Sequence, residues 1–150
     1  MLAAAGGAEN CCLYGISSGA LLALEAVNRG VAVRKLAIHE TPVVVDDSRS
    51  AIPAEYREHL RTLIEAGRNG AAVKYFTRAA VGLPVPAGRF AGVQAPTLVI
   101  YGGKSPAWMR TVVRQLTDTV PGVRCTELPG QTHMVKPAVL APVLAEHFSR

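Results

Sequence analysis

The chain has 150 residues, 49% of them hydrophobic, enough to bury the core of one domain and too few to argue for two. Lys and Arg outnumber Asp and Glu by 16 to 11, for a net charge of +5, yet the basic residues are scattered and only 5% of the chain is aromatic. A basic stripe interleaved with stacking aromatics is missing, so the composition argues against a nucleic-acid partner. No run reaches the ~18 apolar residues of a membrane span, and Met1 to Gly7 has neither the charged start nor the long apolar centre of a signal peptide; no membrane partner and a reducing, cytoplasmic setting are expected.

Leu2 to Ala5 followed by Gly6-Gly7 reads as the tail of a helix closing on glycine, as though the chain begins in mid-structure. Cys11 to Tyr14 reads as a short strand, and Ser18 to Asn28 as a helix with Leu21, Leu22, Leu24 and Val27 largely on one side, stopped by Gly30. Between them stands Gly15-Ile16-Ser17-Ser18-Gly19, a Gly-x-Ser-x-Gly at a strand-to-helix turn. A serine hydroxyl is a weak nucleophile, and such a turn pushes it out of the sheet towards a base. Glycine at positions 15 and 19 lets the turn close. The first amides of the following helix face the space beside Ser17, so the Ser18 N–H can hold a developing oxyanion.

Lys35 to His39 reads as a buried parallel strand, since alternation is lost when both faces are covered. It runs into His39-Glu40-Thr41-Pro42, at the strand end where function collects in open α/β sheets. Asp46 to Pro53 is polar connection. Two helices follow, Pro53 to Ala66 and about Gly70 to Val81, either a lid or plain packing helices. Leu83 to Ala95, with Pro84, Pro86, Gly88 and Gly92, reads as loop. Thr97 to Tyr101 is a β-branched strand followed by Gly102-Gly103. Pro106 to Thr119 is a helix with Trp108, Met109, Val112, Val113 and Leu116 available to pack. Val123 to Leu128 is the last strand, and the chain closes with a helix whose first turn holds Pro142. The three cysteines, Cys11, Cys12 and Cys125, fit neither a disulfide framework nor a metal spacing and read as buried strand residues. Strand and helix alternate throughout, which predicts an α/β fold, a predominantly parallel sheet of about four strands with flanking helices.

His133 lies in the loop after the last strand, 116 residues beyond Ser17. Strand carboxyl ends gather on one edge, so serine and histidine fall on the same edge. Taken together, the elbow, Leu98-Val99-Ile100-Tyr101-Gly102-Gly103 and Leu128-Pro129-Gly130-Gln131-Thr132-His133 resemble the C-terminal part of the α/β-hydrolase fold, across essentially the whole chain. The resemblance implies a single domain over residues 1–150, a truncated form of that fold, with a short helical cap-like insertion over about 46–95. It also implies a serine hydrolase acting on a small, apolar carboxylic ester or related acyl substrate, with no cofactor and no metal. Ser17 would be the nucleophile, His133 the base, and Ser18 the oxyanion donor.

Two departures qualify the resemblance. The triad acid commonly sits just after the glycine turn, and here that stretch is Lys104-Ser105-Pro106, with no carboxylate. The family also tolerates an acid after the preceding strand, which makes Glu40 the expected acid, with Asp46 and Asp47 as alternatives. The strands before the elbow are missing as well, so Cys11 to Tyr14 would be an apolar sheet edge. Such an edge suggests a homo-oligomer or a truncated product. The alternative function is then a catalytically impaired fragment serving as an interaction or structural module. A nucleotide site is disfavoured, because Gly102-Gly103-Lys104-Ser105 does not meet phosphate-loop spacing.

Overall fold

Short β-branched runs alternate with helix-forming ones, and the architecture follows that alternation. A computed structural model describes residues 7–44, 54–79, 83–84 and 88–149. In chain order the elements are β1 (Cys12–Ile16), α1 (Ser18–Asn28), β2 (Lys35–His39), β3 (Val43–Val44), α2 (Tyr56–Glu65), α3 (Asn69–Ala79), β4 (Leu83–Pro84), β5 (Thr97–Gly102), α4 (Ala107–Thr119), β6 (Arg124–Leu128) and α5 (Pro137–Ser149). The expected Leu2 to Ala5 helix tail and the whole Asp46 to Pro53 connection, Asp46 and Asp47 included, lie outside the described residues, as do Pro86 and the last residues of the expected helix to Val81.

By their contacts the residues form two compact units, Met1–Pro42 with Pro86–Arg150, and Val43–Val85. The first holds a four-stranded sheet in the order β1-β2-β5-β6, every pairing parallel. All four strands therefore end on one edge. Ala37, Leu98, Ile100 and Leu128 bury one face of the sheet beneath Val139, Leu140, Val143 and Leu144 of α5. The alternate residues Leu36, Ile38 and Val99 are equally buried, so both faces are covered and the strands lose their alternation.

Helix α1 packs on β1 and β2, and α4 on β5 and β6. The buried stripe of α1 is Ala20, Ala23, Leu24 and Val27, the i, i+3, i+4, i+7 set. Leu22, expected on that side, is 71% exposed. With Leu21 and Leu22 apolar beside the buried stripe, composition leaves the facing side of the helix undetermined, and the tight approach to β1 selects the alanines. Pro142 lies inside α5, and the first position belongs to Pro137. The proline is tolerated in the interior because it lies on the exposed side, where the carbonyl it leaves unpaired can meet water. Cys125 is exposed and Cys11 and Cys12 are half-buried, against the expectation of buried cysteines. These residues belong to or adjoin β1 and β6, the two outer strands of the sheet.

The second unit pairs α2 with α3. Tyr56 stacks on Tyr75 at a centroid distance of 5.3 Å, and His59 meets the same ring edge-on at 4.5 Å. The two-residue strands β3 and β4 pair in parallel, Val43 opposite Leu83 and Val44 opposite Pro84. Neither was expected: two residues carry no periodicity, and Leu83 and Pro84 fall in a stretch whose prolines and glycines read as loop. Beyond it, Phe90 and Val93 return to the first unit as fully buried anchors.

The far end of α5 is fixed to the opposite edge of the sheet. Lys35 Nζ donates to the His147 carbonyl at 2.8 Å and Arg34 to the Phe148 carbonyl at 3.2 Å, cations at the negative end of a helix. The buried His147 ring faces the Leu36 carbonyl through Nε2 and the Arg124 guanidinium through Nδ1, both at 3.0 Å. A guanidinium only donates, so Nδ1 must accept and Nε2–H must donate to Leu36. The ring is held neutral. Burial pushes its pKa down, the Leu36 hydrogen bond opposes this, and Arg124 and Lys35 push it down further. As pH falls below the ordinary histidine value of about 6.5, the unfolded chain binds this proton first. Stability is therefore expected to fall as pH drops through the ordinary histidine value of about 6.5, read as a lower urea midpoint, and His147→Gln should flatten that dependence.

Candidate functional site

Ser17 stands between β1 and α1 with φ 56° and ψ −127°, a region that costs a residue with a side chain ~1–3 kcal/mol. The turn is held from both sides. The Ser17 N–H donates to the His39 carbonyl at 2.9 Å, and the Ser17 carbonyl accepts from Ala20 and Leu21 at 3.0 and 3.3 Å. A Cβ on Gly15 would lie 2.4 Å from the Gly19 carbonyl oxygen, whereas one on Gly19 would meet nothing. Of the two motif glycines, then, only Gly15 is demanded by close approach. Ser18 is the first residue of α1, so its N–H has no acceptor within the helix and lies at the positive end of the dipole.

Among the described residues only Ser17 and Glu40 are non-glycine residues at positive φ, Glu40 at 47°. That backbone turns the Glu40 side chain inward at the end of β2, where it is 3% exposed. A buried carboxylate must be satisfied, and this one is. Its Oε1 accepts from the Gly102 N–H at 2.9 Å and from the Ser105 hydroxyl, and its Oε2 faces His133 Nδ1 at 2.8 Å. An ionised carboxylate only accepts, so His133 carries its proton on Nδ1 and leaves Nε2 free to take one. The expected acid position after the glycine turn, Ser105, thus acts as a donor to an acid from the neighbouring strand.

The loop carrying His133 reaches Glu40 because Gly102 has no side chain. A Cβ there would lie 2.5 Å from the Gln131 carbonyl, the group that accepts from Lys104 N–H at 2.8 Å. The His133 side chain is 46% exposed, in contrast with Glu40 at 1%. The base is open to solvent and its partner is sealed. Among the described residues, Ser17 and His133 form no hydrogen bond with each other. Both stand at the carboxyl-terminal edge of the sheet, flanked by two exposed apolar side chains, Ile16 at 37% and Met134 at 83%. No cluster of three or more metal-ligating side chains occurs among the described residues, and none of their helices is long and apolar enough to cross a membrane.

His39, at the end of β2 and unremarked in the sequence as a site residue, lies under this group. It is 0% exposed. Its signal was its place: one residue before Glu40, at the strand end that runs into the site.

No family model and no curated protein matches the chain. Among solved structures it is 38% identical to an alpha/beta hydrolase from Sphaerobacter thermophilus, with a TM-score of 0.86 over 98% of this chain and 70% of that one. A proline iminopeptidase from Mycobacterium smegmatis aligns at 21% identity, TM-score 0.62, over 96% and 66% of the two chains. CarC, a serine hydrolase involved in carbazole degradation, aligns at 17% identity, TM-score 0.64, over 92% and 63%. The latter two show the fold alone. The first establishes that the chain belongs to the α/β hydrolase family and carries its parallel sheet from the elbow strand onward.

Proposed function

We propose that the protein is a serine hydrolase of small carboxylic esters or related acyl compounds. The observation that carries this reading is the His133 Nδ1 to Glu40 Oε2 hydrogen bond of 2.8 Å, on the sheet edge where Ser17 is held in a strained elbow. In the reaction, Ser17 Oγ attacks the acyl carbon while His133 Nε2 takes its proton, and the carbonyl oxygen becomes an oxyanion beside the Ser18 N–H. The intermediate collapses, the C–O bond to the alcohol breaks, and His133 returns the proton to the leaving oxygen. Water then repeats the sequence on the acyl-serine, releasing the acid and restoring Ser17. Glu40 keeps His133 in the right tautomer and supports the imidazolium. The exposed Ile16 and Met134 favour an apolar substrate.

Hydrolysis of p-nitrophenyl acetate, butyrate and octanoate tests the assignment: turnover above the uncatalysed rate supports it, and none in a folded sample sinks it. The second reading, an inactive hydrolase-fold module, draws on the missing Ser17 to His133 hydrogen bond, although such contacts often tighten only when substrate binds. The same assay decides between them.

Ser105→Ala is expected to lower kcat about tenfold with KM little changed, since it removes one charge-assisted bond to Glu40, worth ~1.5–3 kcal/mol. Ser105→Asp should cost more. It sets a second carboxylate against the first, and the two cannot both stay ionised. Steady-state kinetics on both variants check this.

A further inference from the structure

His39 is a buried titratable group that the proposed reaction does not use. Its Nδ1 lies 3.4 Å from the Tyr14 hydroxyl, its Nε2 lies 4.0 Å from Glu40 Oε1 with no hydrogen-bond partner, and its ring faces that of His133 at 6.1 Å and 30°. An unpartnered buried ring nitrogen is costly, so its persistence beside the one satisfied carboxylate calls for a reason. Electrostatics selects the tautomer. A lone pair on Nε2 would point at a carboxylate oxygen, whereas an Nε2–H points a positive dipole at it, with Nδ1 left to accept from Tyr14.

We propose that His39 is a positioning residue of the site: its neutral ring backs the ring of His133 and leaves Glu40 to His133, and its protonation draws Glu40 away. The inference rests on the proposed roles of Glu40 and His133. The titratable groups facing His39 are Tyr14 from β1, Glu40 after β2 and His133 from the loop after β6; its neighbours in register, Ile16 and Ile100, are apolar. Burial pushes the His39 pKa down most strongly, Glu40 pushes it back up, and His133 pushes it down. Burial likewise raises the Tyr14 pKa, so the phenol keeps the proton it donates. The neutral imidazole is therefore the working form. Once protonated in acid, it becomes a cation beside Oε1 that competes with His133 for the same carboxylate and repels the imidazolium next to it.

The test is a proton and nitrogen-15 NMR titration of the full chain labelled at histidine, following the low-field proton on His133 Nδ1 and the ring nitrogens of His39 as pH falls. The expected result is loss of the low-field proton in step with protonation of His39, and its survival to lower pH in His39→Gln, which keeps a donor but cannot titrate. Protonation of His39 with the His133 signal unmoved overturns the proposal, as does the same loss profile in the variant. The wild-type titration carries the test alone if His39→Gln does not fold. Activity enters separately: ester turnover in the wild type with an unaltered acid limb in His39→Gln rejects the inference and leaves the hydrolase reading intact, whereas no turnover at any pH rejects that reading while the NMR result still stands.

Discussion

Ser17→Ala should abolish ester turnover, a loss on the order of 10⁶ in kcat where the full machinery is engaged, while the urea midpoint stays the same or rises. The reasoning joins geometry to chemistry. Position 17 holds φ 56°, a conformation kept by the Ser17 N–H to His39 carbonyl bond of 2.9 Å and by the Ala20 and Leu21 N–H groups of α1 donating to its carbonyl. None of these contacts uses the hydroxyl. Alanine therefore fits the same turn at the same backbone cost and removes only the nucleophile. A variant that unfolds, or one that retains turnover, would contradict this division between backbone and side chain.

Glu40→Gln should lower kcat about 10⁴-fold with the protein still folded by circular dichroism. The Gly102 N–H and the Ser105 hydroxyl already saturate Oε1, so the amide oxygen of glutamine will keep that side and turn its NH₂ towards His133 Nδ1. Two donors then face each other. His133 escapes by moving its proton to Nε2, the atom that must be free to receive one from Ser17, and the base is lost without any change in the ring's position. Glu40→Asp should recover only part of the rate, because the shorter side chain cannot reach both strand β5 and His133. Stopped kinetics alongside the NMR signal of the His133 ring will separate the tautomer change from a displaced loop.

Much of this was legible in the residues. The apolar runs that became β2 and β5, and helix α1 from Ser18 to Asn28, stand where propensity and glycine stops put them, because each has a local reason to form, and the mostly polar β6 lies within the strand expected over Val123 to Leu128. Ser17, Glu40 and His133 could be named together because a parallel sheet sends every strand end to one edge. What stayed hidden depends on partners far along the chain. The second donor to Glu40, Ser105, read only as a missing acid, since its value lies 65 residues away. His39 looked like one more strand residue until Tyr14 and His133 closed around it. Strands β3 and β4 owe their existence to each other rather than to either sequence, and Leu22 shows that a helix with more apolar residues than its buried stripe holds does not announce its inner face.

The most direct test of the central claim is labelling of the purified protein with a fluorophosphonate probe, with the modified peptide identified by mass spectrometry and with Ser17→Ala and His133→Ala as controls. A single adduct on Ser17 that disappears in both variants is the expected result: it requires a nucleophile, a working base and their alignment at once. A folded protein that takes no label, or one whose label sits elsewhere or persists without His133, would contradict the account.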